Sequence, residues 1–235
     1  MEERIPENFL IRELAARHRV ILVGGMAVIG HGHARRTKDY DIWLEPMESV
    51  KEWAMALVSA CAGHPEARFW SLAQKRNLSP SEIEAEVEET KVIRITGFNL
   101  PVDVFRCPNE MEVGDFDSVW NRASVLEDNV ALPDPVDLYL TKVDTGRDQD
   151  WQDQIYLESK VKAQFRERLP DCSLTEAQDL LARFLDPETL EFALENPDSA
   201  VRDLALEYLR QFEEEGDPYS RDILQRWKDR KQGID

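Results

Sequence analysis

A short apolar run, Arg19-Val20-Ile21-Leu22-Val23, ends in Gly24-Gly25, and fourteen residues after that pair come Asp39-Tyr40-Asp41. The run has the length and β-branched content of a buried strand, and Met26 to Ile29 reads as the start of a helix. Strand, glycine turn and helix form a phosphate-binding layout. Glycines let the backbone approach an anion, while free N–H groups and the positive end of the helix dipole favour negative charge. A glycine pair alone marks only a turn; the constraint comes from its conjunction with acids. Aspartates spaced i, i+2 on a strand point to one face, so Asp39 and Asp41 project side by side. Adjacent carboxylates repel unless a cation sits between them, and Mg²⁺ takes hard oxygen ligands of this kind. Asp103, in Leu100-Pro101-Val102-Asp103-Val104-Phe105, is a third strand-borne carboxylate able to complete the set. Two metal ions about 4 Å apart would then serve the attacking and leaving oxygens of an in-line displacement, with Asp103 on the base side. Taken by itself, Asp-x-Asp also describes a strand end with two solvated acids.

Arg35, Arg36 and Thr37 stand just before the acidic strand, where a guanidinium could bind triphosphate oxygens in a bidentate way or simply offset the paired aspartates. His31 and His33 are close by, but four histidines in the whole chain speak against a zinc site. Further elements follow from periodicity. Asn8 to His18 and Val50 to Cys61 are amphipathic helices, and Glu82 to Glu89 is a short helix capped by Ser79 or Ser81. Lys91 to Thr96 alternates as a strand, Gly97-Phe98-Asn99 turns, and Leu100 to Phe105 returns, a hairpin that places Asp103 in the sheet of Asp41. Ser124 to Leu132 adds an edge strand. Pro133-Asp134-Pro135 is the expected boundary, with Asp134 capping the first of the helices beyond it. Gln152–Leu169, Leu174–Leu185, Pro187–Asn196, Ala200–Glu213 and Tyr219–Gln232 then read as successive helices.

With 235 residues and 42% apolar content, the chain can bury a sizeable core in one or two domains. Cys61, Cys107 and Cys172 are widely spaced, without the pattern of a disulfide framework or a zinc site. Met1-Glu2-Glu3-Arg4-Ile5-Pro6 lacks the features of a signal peptide, and no apolar run approaches a membrane span, so a cytoplasmic location and no membrane partner are expected. Forty-seven acidic against twenty-nine basic residues give a net charge of −18, which argues against extended DNA or other nucleic-acid contacts. A small or cationic acceptor gains weight.

The residues Val23-Gly24-Gly25-Met26-Ala27, His31-Gly32 and Arg36-Thr37-Lys38-Asp39-Tyr40-Asp41-Ile42 resemble the signature of the DNA polymerase β-like nucleotidyltransferase superfamily. The likeness is to its prokaryotic branch: minimal nucleotidyltransferases, abortive-infection type toxins and antibiotic nucleotidyltransferases. It covers roughly residues 20 to 160, and Asp137 to Lys142 with Arg147-Asp148-Gln149-Asp150-Trp151-Gln152-Asp153 is similar to a helical segment of the same group. Met26 departs from the Ser or Thr that many relatives carry after the glycines. The resemblance implies an α/β (α+β) fold, a small mixed or antiparallel sheet with flanking helices in residues 1–132, then a helical part in 133–235. It implies Mg²⁺, or Mn²⁺ in its place, on Asp39, Asp41 and Asp103. A nucleoside triphosphate would lie over Gly24 and Gly25 with Arg36, Thr37 and Lys142 on its phosphates. Asp150, Asp153, Arg147 and His31 would support the site, His31 by a hydrogen bond that fixes the Asp-bearing loop. The implied activity is transfer of a nucleoside monophosphate to a hydroxyl acceptor whose identity stays open: a small molecule, as in antibiotic nucleotidyltransferases, or tRNA or a protein in a toxin-like reading that would bring an antitoxin partner. A non-catalytic binding module on the same fold is the third expectation.

Overall fold

Short β-branched runs separated by Gly, Pro and charged turns give one eight-stranded mixed sheet in the first part of the chain, and helical periodicity rules the rest. The structure, a computed structural model, describes residues 9–143 and 145–232. Its elements open with α1 (Phe9–Ala15), β1 (Val20–Val23), α2 (Gly24–Gly30), β2 (Tyr40–Leu44) and α3 (Val50–Cys61). Next come β3 (Arg68–Ser71), β4 (Arg76–Leu78), α4 (Ile83–Thr90), β5 (Val92–Thr96) and β6 (Val102–Phe105). Then follow α5 (Phe116–Arg122), β7 (Ser124–Glu127), β8 (Val130–Leu132), α6 (Pro135–Leu140) and α7 (Asp148–Arg168). The last four are α8 (Leu174–Arg183), α9 (Pro187–Ala193), α10 (Ser199–Glu214) and α11 (Pro218–Gln232). Of the first expected helix, Asn8 lies outside the described residues.

The strand order is β4-β3-β5-β6-β2-β1-β8-β7. The α/β class with a helical carboxyl-terminal part is as expected; the sheet is larger than the small one anticipated. The hairpin β5–β6 forms as the alternation predicts, and Asp134 caps α6 by accepting from the Val136 amide. Two features enlarge the sheet. Residues 124–132 form a hairpin whose second strand, β8, lies inside and runs parallel to β1, leaving β7 at the edge. A second hairpin, β3–β4, has a turn with Lys75 at φ 54°, a left-handed position held without the Gly or Asn that would announce it.

Period-two alternation sorts the strand side chains onto two faces. Val20, Leu22, Ile42, Leu44, Ile93, Ile95, Val102 and Val104 join the main core with Leu10 and Leu14 of α1, Trp53 and Leu57 of α3, and Ile83 and Val87 of α4. The other face carries a smaller cluster in which Ile21, Val23 and Trp43 meet Phe116 and Val119 of α5. Along β2, that second face runs from Trp43 to Asp41. Trp43 anchors it, its ring edge-on to Phe116 at 5.2 Å and its indole N–H donating to the Arg106 carbonyl at 3.0 Å.

The chain divides into two compact units, one running to Leu157 and one from Glu158. The first holds the sheet, α6 and the start of α7. In the second, Val161 and Phe165 of α7 and Leu169 just past its end recur every four residues and are buried, and α9, α10 and α11 pack on one another. Among the described residues no helix is long and apolar enough to cross a membrane. Cys61, Cys107 and Cys172 are free thiols, and burial pushes Cys61 up to about 11.

Truncating Trp43 to Ala removes a fully buried ring and is expected to cost about 3–5 kcal/mol in urea unfolding. Trp43→Phe, which keeps an aromatic ring but loses the indole N–H that bonds the Arg106 carbonyl, should cost about 1–3 kcal/mol for the lost bond.

Candidate active site

Strand register brings the acids together. β2 and β6 are parallel neighbours with Asp41 paired to Asp103, and β5 runs antiparallel to β6 with Arg94 paired to Asp103. Asp41, Asp103 and Arg94 therefore form a row across three strands on the face opposite the main core. Asp39 stands one residue before β2 and turns into the same cluster. One carboxylate oxygen from each of Asp39, Asp41 and Asp103 lies within 4.8 Å of the others.

Three like charges so close need compensation, and Arg94 supplies much of it. Its Nε donates to Asp103 Oδ1 at 2.6 Å and its Nη2 to Asp103 Oδ2 at 2.7 Å, a two-point fork, while Nη2 also reaches Asp39 Oδ2 at 3.0 Å. Asp103 is nonetheless held above the usual carboxylate range by burial, against the lowering pull of Arg94. Among the described residues Asp41 has no such partner. Its contact is the Gly25 amide, 3.4 Å from Oδ2, and burial with the charges of Asp39 and Asp103 pushes it up to about 6. The three carboxylates are hard oxygen donors of a set that suits Mg²⁺ or Mn²⁺.

The glycine pair acts through close approach. Gly24 has φ 56°, and a Cβ there would run into the Asp41 carboxylate. At Gly25 a Cβ would meet the Arg35 guanidinium and, at 2.7 Å, the Thr37 hydroxyl. Gly24 thus lets the start of α2 sit against Asp41, and Gly25 lets the loop before β2 fold back over it. The Thr37 hydroxyl donates to the Asp39 carbonyl at 3.0 Å, fixing the entry to the acidic strand.

A second charged group borders the cluster. Lys142, 4% exposed, lies just past α6 and donates to Asp150 Oδ1 at 2.7 Å, with Asp153 Oδ2 at 3.1 Å. Arg35 forks onto Asp153 at 3.0 and 2.9 Å, and Arg147 donates to Asp150. Positive and negative side chains alternate along Arg35–Asp153–Lys142–Asp150–Arg147, tying the loop before β2 to the start of α7. A cleft of about 110 Å³ is lined by Val23, Gly24, Asp41, Phe105, Lys142 and Arg147 among others, so that it touches both Asp41 and this chain of charges. A wider one of about 450 Å³ shares Lys142, Thr145 and Arg147 and has the exposed Trp151 on its rim.

No family model matches the sequence, and no curated protein does.

Of the residues singled out from sequence, Asp39, Asp41, Asp103, Gly24, Gly25, Thr37 and Lys142 are brought into this one region, with Arg147, Asp150 and Asp153 around Lys142. Arg36 is exposed, and it is Arg35 that turns inward. His31 donates from Nε2 to the Pro133 carbonyl at 2.9 Å, so that bond joins the end of α2 to the entry of α6, not to the acidic loop. The Tyr156 hydroxyl bonds the His31 carbonyl at 2.8 Å, and the His33 ring stacks on Tyr156. Arg94 is the residue that sequence reasoning passed over.

Gly24→Ala is expected to cost about 1–2 kcal/mol from the left-handed backbone alone, and more from the clash with Asp41. In the background of Asp41→Gly, which removes the Cβ as well as the carboxylate that a Cβ at position 24 would meet, the clash is relieved, so thermal unfolding of the four cycle members should show the second substitution costing less than it does in wild type. The raised Asp41 also fixes a sign. Its folded value lies above the unfolded one, so the ionised form opposes folding, and that penalty grows as pH rises from about 4 to about 6. In chelator at pH 7, Asp41→Asn should therefore be more stable than wild type by up to about 3 kcal/mol, with the gain vanishing below pH 4.

Proposed function

We propose that the protein is a metal-dependent nucleotidyltransferase, moving a nucleoside monophosphate from a nucleoside triphosphate to a hydroxyl acceptor with release of pyrophosphate. The observation that carries this is the convergence of Asp39, Asp41 and Asp103 within 4.8 Å, beside a glycine turn and a cleft walled by Lys142 and Arg147. Those carboxylates fit Mg²⁺ or Mn²⁺ by donor type and by their excess of negative charge. When bound, the ion supplies positive charge against the triphosphate oxygens and the charge developing on the leaving group.

The chain's own residues divide the remaining work. Asp39 and Asp41 would hold the ion. Gly24 keeps the backbone at the strand end thin enough for an anion to sit against it. Lys142 and Arg147 line the same cleft as Asp41 and attract the phosphates. Lys142 cannot wander, because Asp150 and Asp153 hold it from behind. Asp103, fixed by Arg94, accepts a hydrogen bond from the acceptor hydroxyl and orients it. Little of this is covalent chemistry; positioning and charge compensation supply most of the rate in phosphoryl transfers.

The net charge of −18 weighs against an RNA acceptor, whose backbone asks for basic surface, and favours a small or cationic hydroxyl compound. A toxin-like transfer to tRNA or protein is the same chemistry with another acceptor.

Titration calorimetry with each nucleoside triphosphate, with and without Mg²⁺, tests this. Wild type should bind at least one triphosphate in a metal-dependent way, and the doubly substituted Asp39→Asn/Asp41→Asn protein should not. At a hundred times Kd the ligand should stabilise the fold by about 2.7 kcal/mol. Metal-independent binding, or binding unchanged in the double variant, rules the assignment out. Binding without transfer to any acceptor would point to a non-catalytic module.

A further inference from the structure

Three carboxylates shared between strands invite the expectation of two divalent ions, yet part of that demand is already met. Arg94 engages both oxygens of Asp103, at 2.6 and 2.7 Å, and bridges to Asp39 at 3.0 Å. Linking these two carboxylates with positive charge is what a second ion would do. The guanidinium is always protonated and cannot be titrated away. Nor is it a loosely held surface group: its side chain is 27% exposed, and it is delivered by strand register directly opposite Asp103. Asp41 differs. Among the described residues it makes no ion pair, and its hydrogen bond is to the Gly25 amide. Uncompensated charge is thus concentrated at Asp41 and on the adjoining side of Asp39. Charge counting agrees: three carboxylates and one guanidinium leave two negative charges, the complement of one divalent ion.

We propose that Arg94 is a resident cation of the cluster, so that the site takes a single divalent ion on Asp39 and Asp41 while Arg94 occupies the Asp103 side in place of a second. This rests on the metal-dependent reading of the site and changes its acceptor side. Asp103 works as a carboxylate locked by an arginine, and Arg94 is a positioning residue that acts through it. The side chain length matters, because Nε and Nη2 must reach the two oxygens together; lysine offers one point of charge in their place.

Counting bound Mn²⁺ by the loss of its free paramagnetic signal tests the idea, with Mn²⁺ alone and with Mn²⁺ plus a non-transferable triphosphate analogue. Wild type is expected to bind one ion per chain. Arg94→Met, which keeps an unbranched apolar stem and removes the guanidinium and its charge, is expected to bind two, and Arg94→Lys to stay at one. Two ions in wild type overturn the proposal, and that result needs no variant to fold. One ion in a folded Arg94→Met protein overturns it as well, since something other than Arg94 would then exclude the second. If wild type binds no ion under either condition, the metal-dependent function falls and this proposal with it. Two ions in wild type, both lost in Asp39→Asn/Asp41→Asn, would leave the function standing and remove only the role of Arg94.

Discussion

With one oxygen of each carboxylate within 4.8 Å of the others and an effective dielectric near 20, each pair of ionised acids repels by on the order of 3 kcal/mol, so Asp39, Asp41 and Asp103 cannot share a site unaided. The local features of the first unit answer that repulsion one by one. Arg94 cancels one charge from the neighbouring strand. The Gly25 amide and the nearby Lys142 ammonium offset another, incompletely, as the raised Asp41 records. Gly24 admits the backbone where any other residue would displace the acid. On the reverse of the same strands, Ile42, Val104 and Ile93 are fully buried, so the sheet cannot relax by turning the acids outward without turning its core outward too.

Behind the acids lies an arrangement of a different sort. Lys142, Asp150 and Asp153 are nearly or wholly buried, and each has an opposite charge in contact. Buried ion pairs of this kind add little net stability relative to apolar residues of equal size, because desolvation offsets their attraction. Their effect is directional: they admit one placement of Lys142 and one approach of α7, and removing any member would strand a charge. In this sense the carboxylate cluster holds potential energy in excess charge, while the Lys142 group holds geometry.

The sequence made some of this legible. A strand followed by two glycines and an i, i+2 acid pair contains its own spacing, and the β5–β6 hairpin follows from alternation broken by Gly97-Phe98-Asn99. Arg94 was missed because its role belongs to no local pattern. It is one polar residue of an alternating strand, and only the pairing register puts it opposite Asp103. The signal existed, since the turn length fixes which residue faces which once the hairpin is accepted. Arg35 and Arg36 show the opposite limit: in an irregular loop no period says which of two neighbours turns inward. β3 and β4, at four and three residues, are too short for alternation to speak, and their turn uses Lys75 where a glycine would have been audible.

The register of β5 and β6 has a further consequence for how the protein is made. Arg94 and Asp103 are nine residues apart along the chain, whereas Arg94 and Asp39 are separated by fifty-five. A hairpin closes in microseconds, and contacts across long loops wait on a larger loss of chain entropy. Loop-closure entropy therefore favours the arginine fork over the contacts of Asp39, and a fork formed first would present Asp103 to the other two acids already paired.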